Sequence, residues 1–486
     1  MNLNRLKLFG LLFMFLSSGS ADAQTFEEQY EAFKQQTKQE YQNFRDKVNQ
    51  EYADFIRSSW AQFKGEEPTP EPDLNPIPPL PYEKEKEKPP VVVVNPKPIP
   101  EPEPEPQPKP FEPIYENPNV DENILAFDFY GVPAKIRFPK NVNIKLNDLK
   151  PRSLAKAWEN LSSNDINNTI RDCLEARIRY NLSDWAYLLF LQEVGRSFSS
   201  DPNVATFITA FLFCQSGYQM RLAVDLNKLM MLYGSRHHIY NTPYYNIDGT
   251  MFYPFGNTSR SLNICNARFE GETPLSLIIE KEQTVGPGLS NPRQIVSERY
   301  KDMKIETKVP VKLISFFDTY PSSQLGTNPL TRWAMYANVP LAKDTKEIIY
   351  PELKKAIDGI SELDAANKLL NWVQTGLVYE YDDKVWGHDR AFFAEETLFY
   401  PYADCEDRAI LFSRLVRDLL GLDVALVYYP GHLATAVAFK DNVAGDAMMI
   451  DGKKFIVCDP TYIGAPVGAQ MPGLNYSQTQ AIRLQR

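Results

Sequence analysis

The stretch that decides the fold of the C-terminal third is Asp404-Cys405-Glu406-Asp407-Arg408-Ala409-Ile410-Leu411-Phe412. From Leu411 onward, leucines recur every fourth residue, which predicts a helix that runs to Leu420. Asp404 is a favourable N-cap residue, and Gly421 stands where helices commonly end. We therefore expect Cys405 in the first turn, where free backbone N–H groups and the positive end of the helix dipole stabilise a thiolate.

A thiolate that attacks carbonyl groups needs a partner that accepts and returns a proton. Among the four histidines, His432 follows a Pro-Gly turn and opens a predicted strand that runs to about Phe439. We expect residues 453–459 to form a strand antiparallel to it, which sets Asp459 beside His432. A carboxylate there would orient the imidazole. Cys405, His432 and Asp459 are thus the candidate catalytic residues.

Each of these elements also has an ordinary structural explanation. A lone cysteine is usually a small buried hydrophobe, and Cys458, between Val457 and Asp459 on a predicted strand, fits that explanation. An aspartate before proline often starts a turn, and a Pro-Gly-His sequence is commonly a loop. The order of Cys405, His432 and the Asp-Pro-Thr sequence along the chain is what favours a catalytic site.

In this order the chain resembles the transglutaminase-like superfamily, whose core has a papain-like fold. The resemblance covers about residues 340–470 and is carried by Asp404-Cys405-Glu406-Asp407-Arg408, Gly431-His432-Leu433-Ala434-Thr435-Ala436-Val437 and Cys458-Asp459-Pro460-Thr461-Tyr462. It implies an α+β core in which the helix that carries the cysteine packs on an antiparallel sheet. It also implies that Cys405 is the nucleophile, His432 the base and Asp459 the orienting carboxylate.

The chain departs from the family's pattern at two positions. Ala403 stands where a glycine is common before the Asp-Cys pair, and Ala434 stands where an aromatic residue is often found two positions after the histidine. These changes leave the triad intact but alter the expected binding surface near His432. The family's oxyanion donor has no secure match; Gln374 and Trp386 are candidates, and Trp386 is more typical of packing.

The resemblance implies acyl transfer from an amide through a thioester on Cys405, with a protein or peptide as the substrate. Water as the acceptor would make the protein a peptidase or amidase, and a lysine amine would make it a cross-linking enzyme. The alternative is a catalytically silent scaffold that tethers or binds a cell-envelope partner, since the superfamily includes such members. The chemistry needs no cofactor, and the sequence contains no evident calcium-binding loop.

The N-terminus has the pattern of a secretory signal peptide over residues 1–23. Basic residues precede an apolar stretch at residues 8–16, and residues 21–23 have the small-residue cleavage pattern Ala-Asp-Ala. We therefore expect a mature chain from about Gln24 that is exported to the periplasm or the extracellular space and has no membrane span. An uncleaved membrane anchor is the alternative, although the stretch is shorter than the roughly 20 residues that a span needs.

Residues 24–65 carry an aromatic repeat that predicts one long amphipathic helix. Aromatic residues recur every eleventh position in two interleaved series, Tyr30, Tyr41, Tyr52 and Phe63, and Phe33, Phe44 and Phe55. Such a repeat has about 3.67 residues per turn, so both series lie on one helical face. Because this face would otherwise contact water, we expect residues 26–63 to have a partner: a second copy in a coiled coil, an envelope protein, or the chain's own globular body.

Residues 66–120 are expected to form a Pro-rich linker. Proline alternates with glutamate between residues 100 and 106, which excludes helix and favours extended polyproline II, a semi-rigid spacer. Residues 91–94 are four valines, a short apolar island that would suit an added strand. The linker would separate the aromatic helix from the globular part of the chain.

Residues 121–339 are expected to form an accessory α/β region, and residues 340–486 the catalytic domain. Residues 195–255 weakly repeat the order of helix, strand, histidine and strand found around Cys405, which suggests a decayed copy of the core with Asp201 opposite Cys405. An unrelated helical region is the alternative. The adjacent histidines at positions 237 and 238 have no ligand partners at metal spacing.

Charge and cysteine content narrow the remaining possibilities. The formal net charge of −10 argues against a nucleic-acid-binding protein, because no basic face is implied. Five cysteines in 486 residues do not indicate a disulfide scaffold. The sequence leaves open how Cys173, Cys214, Cys265 and Cys458 pair, if they do.

Overall fold

The computed structural model describes residues 23–72, 76–83, 93–99, 108–110 and 113–485 of a mixed α+β protein. In chain order, its helices are α1 (Ala23–Ser58), α2 (Pro151–Leu161), α3 (Asn167–Arg179), α4 (Asp184–Phe198), α5 (Pro202–Gln215), α6 (Val311–Phe317), α7 (Leu330–Asn338), α8 (Lys343–Ile357), α9 (Glu362–Gly376), α10 (Asp382–Val385), α11 (Ala394–Phe399) and α12 (Cys405–Leu420).

The strands, again in chain order, are β1 (Trp60–Lys64), β2 (Val93–Val94), β3 (Lys97–Ile99), β4 (Glu122–Phe129), β5 (Val132–Pro139), β6 (Met220–Asp225), β7 (Lys228–Ser235), β8 (His237–Ile239), β9 (Tyr245–Ile247), β10 (Thr250–Pro254), β11 (Ser261–Cys265), β12 (Arg293–Val296), β13 (Lys304–Thr307), β14 (Ser323–Leu325), β15 (Asp423–Tyr429), β16 (His432–Ala438), β17 (Ala447–Ile450), β18 (Lys453–Cys458) and β19 (Gln480–Arg483).

A seven-stranded sheet organises the C-terminal part, in the order β2-β17-β18-β16-β15-β19-β3. Its five central strands pair antiparallel, and α12 packs against β15 and β16. Helix α12 has the predicted limits. At its start, Asp407 accepts a hydrogen bond from the backbone N–H of Asp404 at 3.2 Å, and after its end Gly421 has the left-handed φ of 63°. Cys405 is therefore the first residue of the helix, as predicted.

The predicted pairing between the strands at His432 and Asp459 is also present. Strand β16 begins at His432, and its residue Thr435 pairs antiparallel with Cys458 at the end of β18. Asp459 follows directly, so this register brings it alongside the first residues of β16. The chain thus delivers the imidazole and the carboxylate to the same end of the sheet.

A second sheet, in the N-terminal part, has six antiparallel strands in the order β1-β11-β6-β7-β10-β9. Helix α5 packs on β6 and β7, as α12 packs on β15 and β16. In both sheets the helix is followed by four strands of that sheet, which lie in the spatial order first, second, fourth, third. These are β6-β7-β10-β9 and β15-β16-β18-β17. A later strand, β11 or β19, pairs with the first of the four. The two regions thus share their helix and strand order; a common origin stays a prediction.

The position equivalent to Cys405 differs from the one that the sequence suggested. Asp201 accepts hydrogen bonds from two first-turn N–H groups of α5, so it is a cap residue like Asp404. Pro202 is the first residue of α5 and corresponds to Cys405. The sequence comparison placed Gly217 opposite Gly421 and counted back from each glycine to the start of its helix. However, α5 ends two residues before Gly217, whereas α12 ends directly before Gly421.

The second strand of each sheet gives the other equivalences. Lys228 opens β7 where His432 opens β16, because each pairs with the last residue of the preceding strand. The two adjacent histidines lie farther along the chain, in β8. The same register places Gly256, after β10, at the position that corresponds to Asp459. The N-terminal region therefore has the topology without the three candidate residues.

Helix α1 is shorter than the predicted helix over residues 24–65. It ends at Ser58, and residues 60–64 form β1, because the free edge of the six-stranded sheet at β11 offers backbone pairing. In the C-terminal half of α1, Tyr52 is buried against Trp158 and Phe269. The chain's own body is thus the partner of this half. Aromatic side chains farther toward the N-terminus are exposed: Tyr30, Phe33, Tyr41 and Phe44.

The Pro-rich segment is extended, but its described parts lie on the globular body instead of forming a free spacer. Strands β2 and β3 pair parallel with β17 and β19, and so extend the seven-stranded sheet on both sides. Proline lacks an N–H group only at its own position, so neighbours such as Ile77 and Lys97 still donate to carbonyl groups. The Pro-Glu alternation at residues 100–106 lies outside the described residues, as does the predicted signal peptide up to residue 22.

One continuous apolar core contains residues of both α5 and α12, including Phe211 and Leu415, so the two regions pack together. All five cysteines are buried and none forms a disulfide bond. Among the described residues, no helix combines the length and the apolar character that crossing a bilayer requires.

Candidate active site

The candidate residues meet at a cavity of about 770 Å³ at the start of α12. The first turn of α12, the turn before β16, the segment around α10 and part of the Pro-rich segment contribute to its wall. Cys405 and His432 both line this cavity, so the structure brings the predicted nucleophile and base to one place. Asp459 lies behind His432 and is buried.

His432 and Asp459 are in direct contact. The Nε2 atom of His432 lies 2.8 Å from Oδ2 of Asp459, and both side chains are almost fully buried. The other carboxylate oxygen, Oδ1, accepts hydrogen bonds from the backbone N–H groups of Thr461 and Tyr462 at 2.9 and 3.2 Å. The carboxylate is therefore held in place, and it fixes the plane of the imidazole ring. The Nδ1 atom of His432 is buried without a hydrogen-bond partner among the described residues.

Cys405 sits between a carboxylate and a backbone N–H group. Its thiol donates a hydrogen bond to Oε2 of Glu406 at 3.1 Å. The backbone N–H of Leu433, the residue after His432, donates to the sulfur, which favours the thiolate. The hydrogen bond of the thiol is thus made to Glu406 rather than to His432.

The electrostatic surroundings of Cys405 differ from the expectation of a thiolate stabilised by the helix start. Burial, followed by the negative charges of Glu406 and Asp404, raises the pKa of the Cys405 thiol well above its ordinary value. The backbone N–H of Leu433 acts in the opposite direction and is a smaller contribution than burial and the two carboxylates.

A cluster of buried carboxyl groups surrounds the cysteine. Asp382, Asp404, Glu406 and Asp407 are all at most 9% exposed. Burial, and then the charge of Glu406, raises the pKa of Asp382 to about 8. Burial also raises the pKa of Asp404, Glu406 and Asp407, each with a further contribution from neighbouring carboxylates. Each carboxyl group of the cluster thus disfavours the charged form of its neighbours.

Arg332 supplies positive charge to this cluster. Its side chain is 1% exposed, and its Nη1 atom lies 2.6 Å from Asp389 and 2.9 Å from Glu71. The negative charges of Asp389 and Glu406 raise the pKa of Arg332, although burial acts in the opposite direction and is the largest effect. Arg332 thus remains charged and links Glu71 of the N-terminal segment to the surroundings of Cys405.

Two groups of described residues have ligand atoms close enough to hold a metal ion. Asp404, Cys405 and Glu406 form one, and Asp382, Asp389 and Glu406 form the other, each with its ligand atoms within 4.8 Å of one another. The guanidinium group of Arg332 already contacts Asp389 and balances part of this charge. We assign no metal to either group.

Most of the charged side chains around Cys405 could not be predicted from the sequence. The acidic residues next to Cys405 are visible in the sequence, but Glu71, Arg332 and Asp389 are distant from them along the chain. Only the folded chain brings these three side chains together. No spacing or motif in the sequence signals their convergence.

Neither sequence candidate for the oxyanion donor faces the cavity with a free N–H group. Gln374 donates to the backbone carbonyl groups of Asp459 and Ala465 at 2.9 and 3.1 Å, so it braces the segment that carries the carboxylate. Trp386 packs against Tyr400 and lies under the guanidinium group of Arg390. The remaining donors near the sulfur are first-turn backbone N–H groups of α12, which lack partners within the helix.

Comparisons with known proteins give no independent assignment of this site. No family model matches the chain, and no curated protein matches it.

Proposed function

We propose that residues 340–486 form a transglutaminase-like catalytic domain with a papain-like core. In this proposal, Cys405, His432 and Asp459 catalyse acyl transfer from amide bonds of a protein or peptide. The domain has the elements that such a core needs: a helix that begins with the cysteine, packed on an antiparallel sheet whose strand begins with the histidine.

The observation that carries the proposal is the arrangement of His432. Its Nε2 atom is fixed by Asp459 at 2.8 Å, its Nδ1 atom is buried and unpartnered among the described residues, and its cavity is also lined by Cys405. His237 also has a buried Nδ1 atom without a partner among the described residues, so what distinguishes His432 is its carboxylate partner and the cavity that it shares with Cys405. A free Nδ1 atom beside a cysteine suits a general base.

The reaction would proceed in two halves. Nδ1 of His432 accepts the Cys405 proton, and the thiolate attacks the amide carbonyl carbon while first-turn N–H groups of α12 stabilise the oxyanion. The C–N bond breaks, the leaving amine takes the proton from His432, and the acyl group remains as a thioester on Cys405. Water or an amine then attacks the thioester, gives its proton to His432, and releases the thiol. Glu406 must give up its hydrogen bond to the thiol before the first step.

Substitution of the nucleophile tests this proposal. The full chain is incubated with fluorescent casein and a primary amine probe, and both amide hydrolysis and amine incorporation are measured. We expect Cys405→Ser to abolish both activities, while Cys458→Ser, at a buried cysteine away from the cavity, retains them. Activity that survives Cys405→Ser would exclude the mechanism.

A silent scaffold is the second candidate, and two observations favour it. The Cys405 thiol is bonded to Glu406 and its pKa is raised, which disfavours the reactive form. The exposed aromatic side chains of α1, including Tyr41 and Phe44, also suit a binding role. Sedimentation of the wild type and of a Tyr41→Ser, Phe44→Ser double variant tests for self-association. In either case we propose an exported protein of the periplasm or the extracellular space.

A further inference from the structure

Two described stretches of the Pro-rich segment border the candidate active site. We define residues 69–72 and 76–82 as the active-site strap. At one end, the backbone carbonyl of Thr69 accepts a hydrogen bond from Asn241, on the N-terminal side of the molecule. At the other end, Tyr82 donates to the carbonyl of Ile463 at 2.8 Å. Strap residues between these two anchors line the cavity that contains Cys405.

Between its anchors the strap forms part of the cavity wall. Glu71, Pro72 and Pro76 line the same cavity as Cys405 and His432. The backbone N–H of Ile77 donates to the carbonyl of Gly431, the residue before His432, at 2.7 Å. The strap is therefore in contact with the turn that delivers the proposed base.

A buried ion pair fastens the middle of the strap. Glu71 Oε1 accepts from Arg332 at 2.9 Å and from the hydroxyl of Ser322 at 3.1 Å. The Glu71 side chain is 14% exposed and that of Arg332 is 1% exposed. Arg332 is also paired with Asp389, so loss of the Glu71 charge releases the strap while Arg332 keeps a carboxylate partner.

The way in which the strap is held resembles the way in which an extended peptide binds to a protein. Its backbone hydrogen-bonds to the carbonyl of Gly431 and to the carbonyl and N–H groups of Ile463, and Ile77 and Leu80 pack on the apolar face of the seven-stranded sheet. Main-chain hydrogen bonds with pockets for individual side chains are the recognition mode of extended polypeptides. Six of the eleven strap residues are prolines and four others precede a proline, which keeps the backbone extended.

We propose that the cleft takes an extended polypeptide as its ligand, and that the strap occupies this cleft as an intramolecular ligand until a substrate or partner displaces it. This inference rests on the proposed function of the same site. The backbone hydrogen bonds of the strap to Gly431 and Ile463 are the contacts that such a ligand would replace.

The size dependence of Cys405 labelling tests the inference. Labelling by iodoacetamide and by a maleimide attached to a 5 kDa polymer is followed by mass spectrometry at one pH on the full chain. The ratio of the two rates cancels the thiolate fraction, so the result does not depend on whether His432 activates the thiol. Failure of the strap model is thus separate from failure of the proposed function, which the Cys405→Ser turnover experiment decides.

We expect Glu71→Gln to raise the ratio of polymer-maleimide labelling to iodoacetamide labelling about tenfold. Loss of a hydrogen bond between charged groups should increase the fraction of molecules with a displaced strap by about that factor. Ile77→Pro removes the N–H donor to Gly431 and should raise the ratio as well. The matched control is Glu67→Gln, which loses the same charge from an exposed pair with Arg260 outside the strap and should leave the ratio unchanged.

Cys458, which is fully buried, serves as an internal control for folding in the same spectra. A variant in which Cys458 is labelled rapidly is unfolded. The inference is then tested with the other of the two strap variants. A ratio that stays at the wild-type value in folded Glu71→Gln and folded Ile77→Pro proteins would overturn the inference. A ratio that falls would also overturn it, because the strap would then be a permanent part of an open site.

Discussion

The N-terminal and C-terminal regions of this protein have the same helix and strand order but different residues at equivalent positions. In the C-terminal region, Cys405 begins the helix, His432 begins the second strand after it and Asp459 follows the fourth, β18. In the N-terminal region the equivalent residues are, in the same order, Pro202, Lys228 and Gly256.

The comparison separates what the topology supplies from what the side chains supply. The shared order brings the helix start and two strand ends together in both regions, whatever residues occupy them. Proline at the first helical position is a common choice for stability alone, because its missing N–H needs no partner there. Cysteine at the same position has no such advantage. This difference is consistent with the catalytic role proposed for Cys405.

The largest expected effect is on the rate of acyl transfer, and it comes from substitution of the residue that begins the second strand. If His432 is the base, His432→Ala should lower the rate of acyl transfer about 1,000-fold, within the range typical of a lost general base. The matched change at the equivalent position, Lys228→Ala, removes an exposed side chain and should leave the rate unchanged. Steady-state rates on a fluorescent peptide amide provide the measurement. Equal losses in both variants would mean that the two positions act only through folding.

A smaller effect is expected at the second residue of α12. Glu406→Gln removes the charge that helps to raise the pKa of Cys405, so the pKa should fall and alkylation at pH 7 should become faster. Each unit of decrease gives about a tenfold increase in thiolate below the pKa. Asp383→Asn, at an exposed position of α10, is the control with the same change in charge. A rate that falls in Glu406→Gln would show that the carboxylate assists the thiol instead of restraining it.

The smallest expected effect concerns stability, which should respond to pH in opposite directions in the two regions. Burial, and then the charge of His238, lowers the pKa of His237 to about 3. The unfolded chain therefore binds a proton first, and the contribution of His237 to stability is lost as pH falls below about 6.5. For Asp382, whose folded pKa is raised to about 8, the stability is present below about pH 4 and is lost as pH rises toward 8.

Chemical denaturation between pH 4 and pH 9 separates these two contributions. His237→Gln keeps an acceptor for the N–H of Leu277 and should flatten the acid side of the stability curve. Asp382→Asn should flatten the alkaline side. Each group contributes at most about 1.4 kcal/mol per pH unit. A curve with the wild-type slope on the expected side in either variant would contradict the assignment for that residue.

The sequence predicted the parts of the site that depend on local structure. The cap at Asp404 and the glycine at position 421 set the limits of α12, and the alternation of strands and turns located His432 and Asp459. The contact between His432 and Asp459 followed from antiparallel pairing alone. The catalytic role of these residues remains a prediction.

Long-range contacts could not be predicted in the same way. Residues 60–64 continued the aromatic repeat of α1, yet they pair with a sheet edge supplied by residues about 200 positions later. The Pro-rich segment has the composition of a spacer, and nothing local shows that Glu71 meets Arg332. Such contacts depend on where distant segments fold, which a single sequence does not encode in any local pattern.

The most direct test of the central claim is the pH dependence of Cys405 alkylation by iodoacetamide in the wild type and in His432→Ala. If His432 is the base for Cys405, the wild type should react about ten times faster than the variant below pH 8, and the two curves should converge at high pH, where the thiolate forms unaided. Curves that coincide across the whole range would contradict the claim that these residues form a catalytic unit.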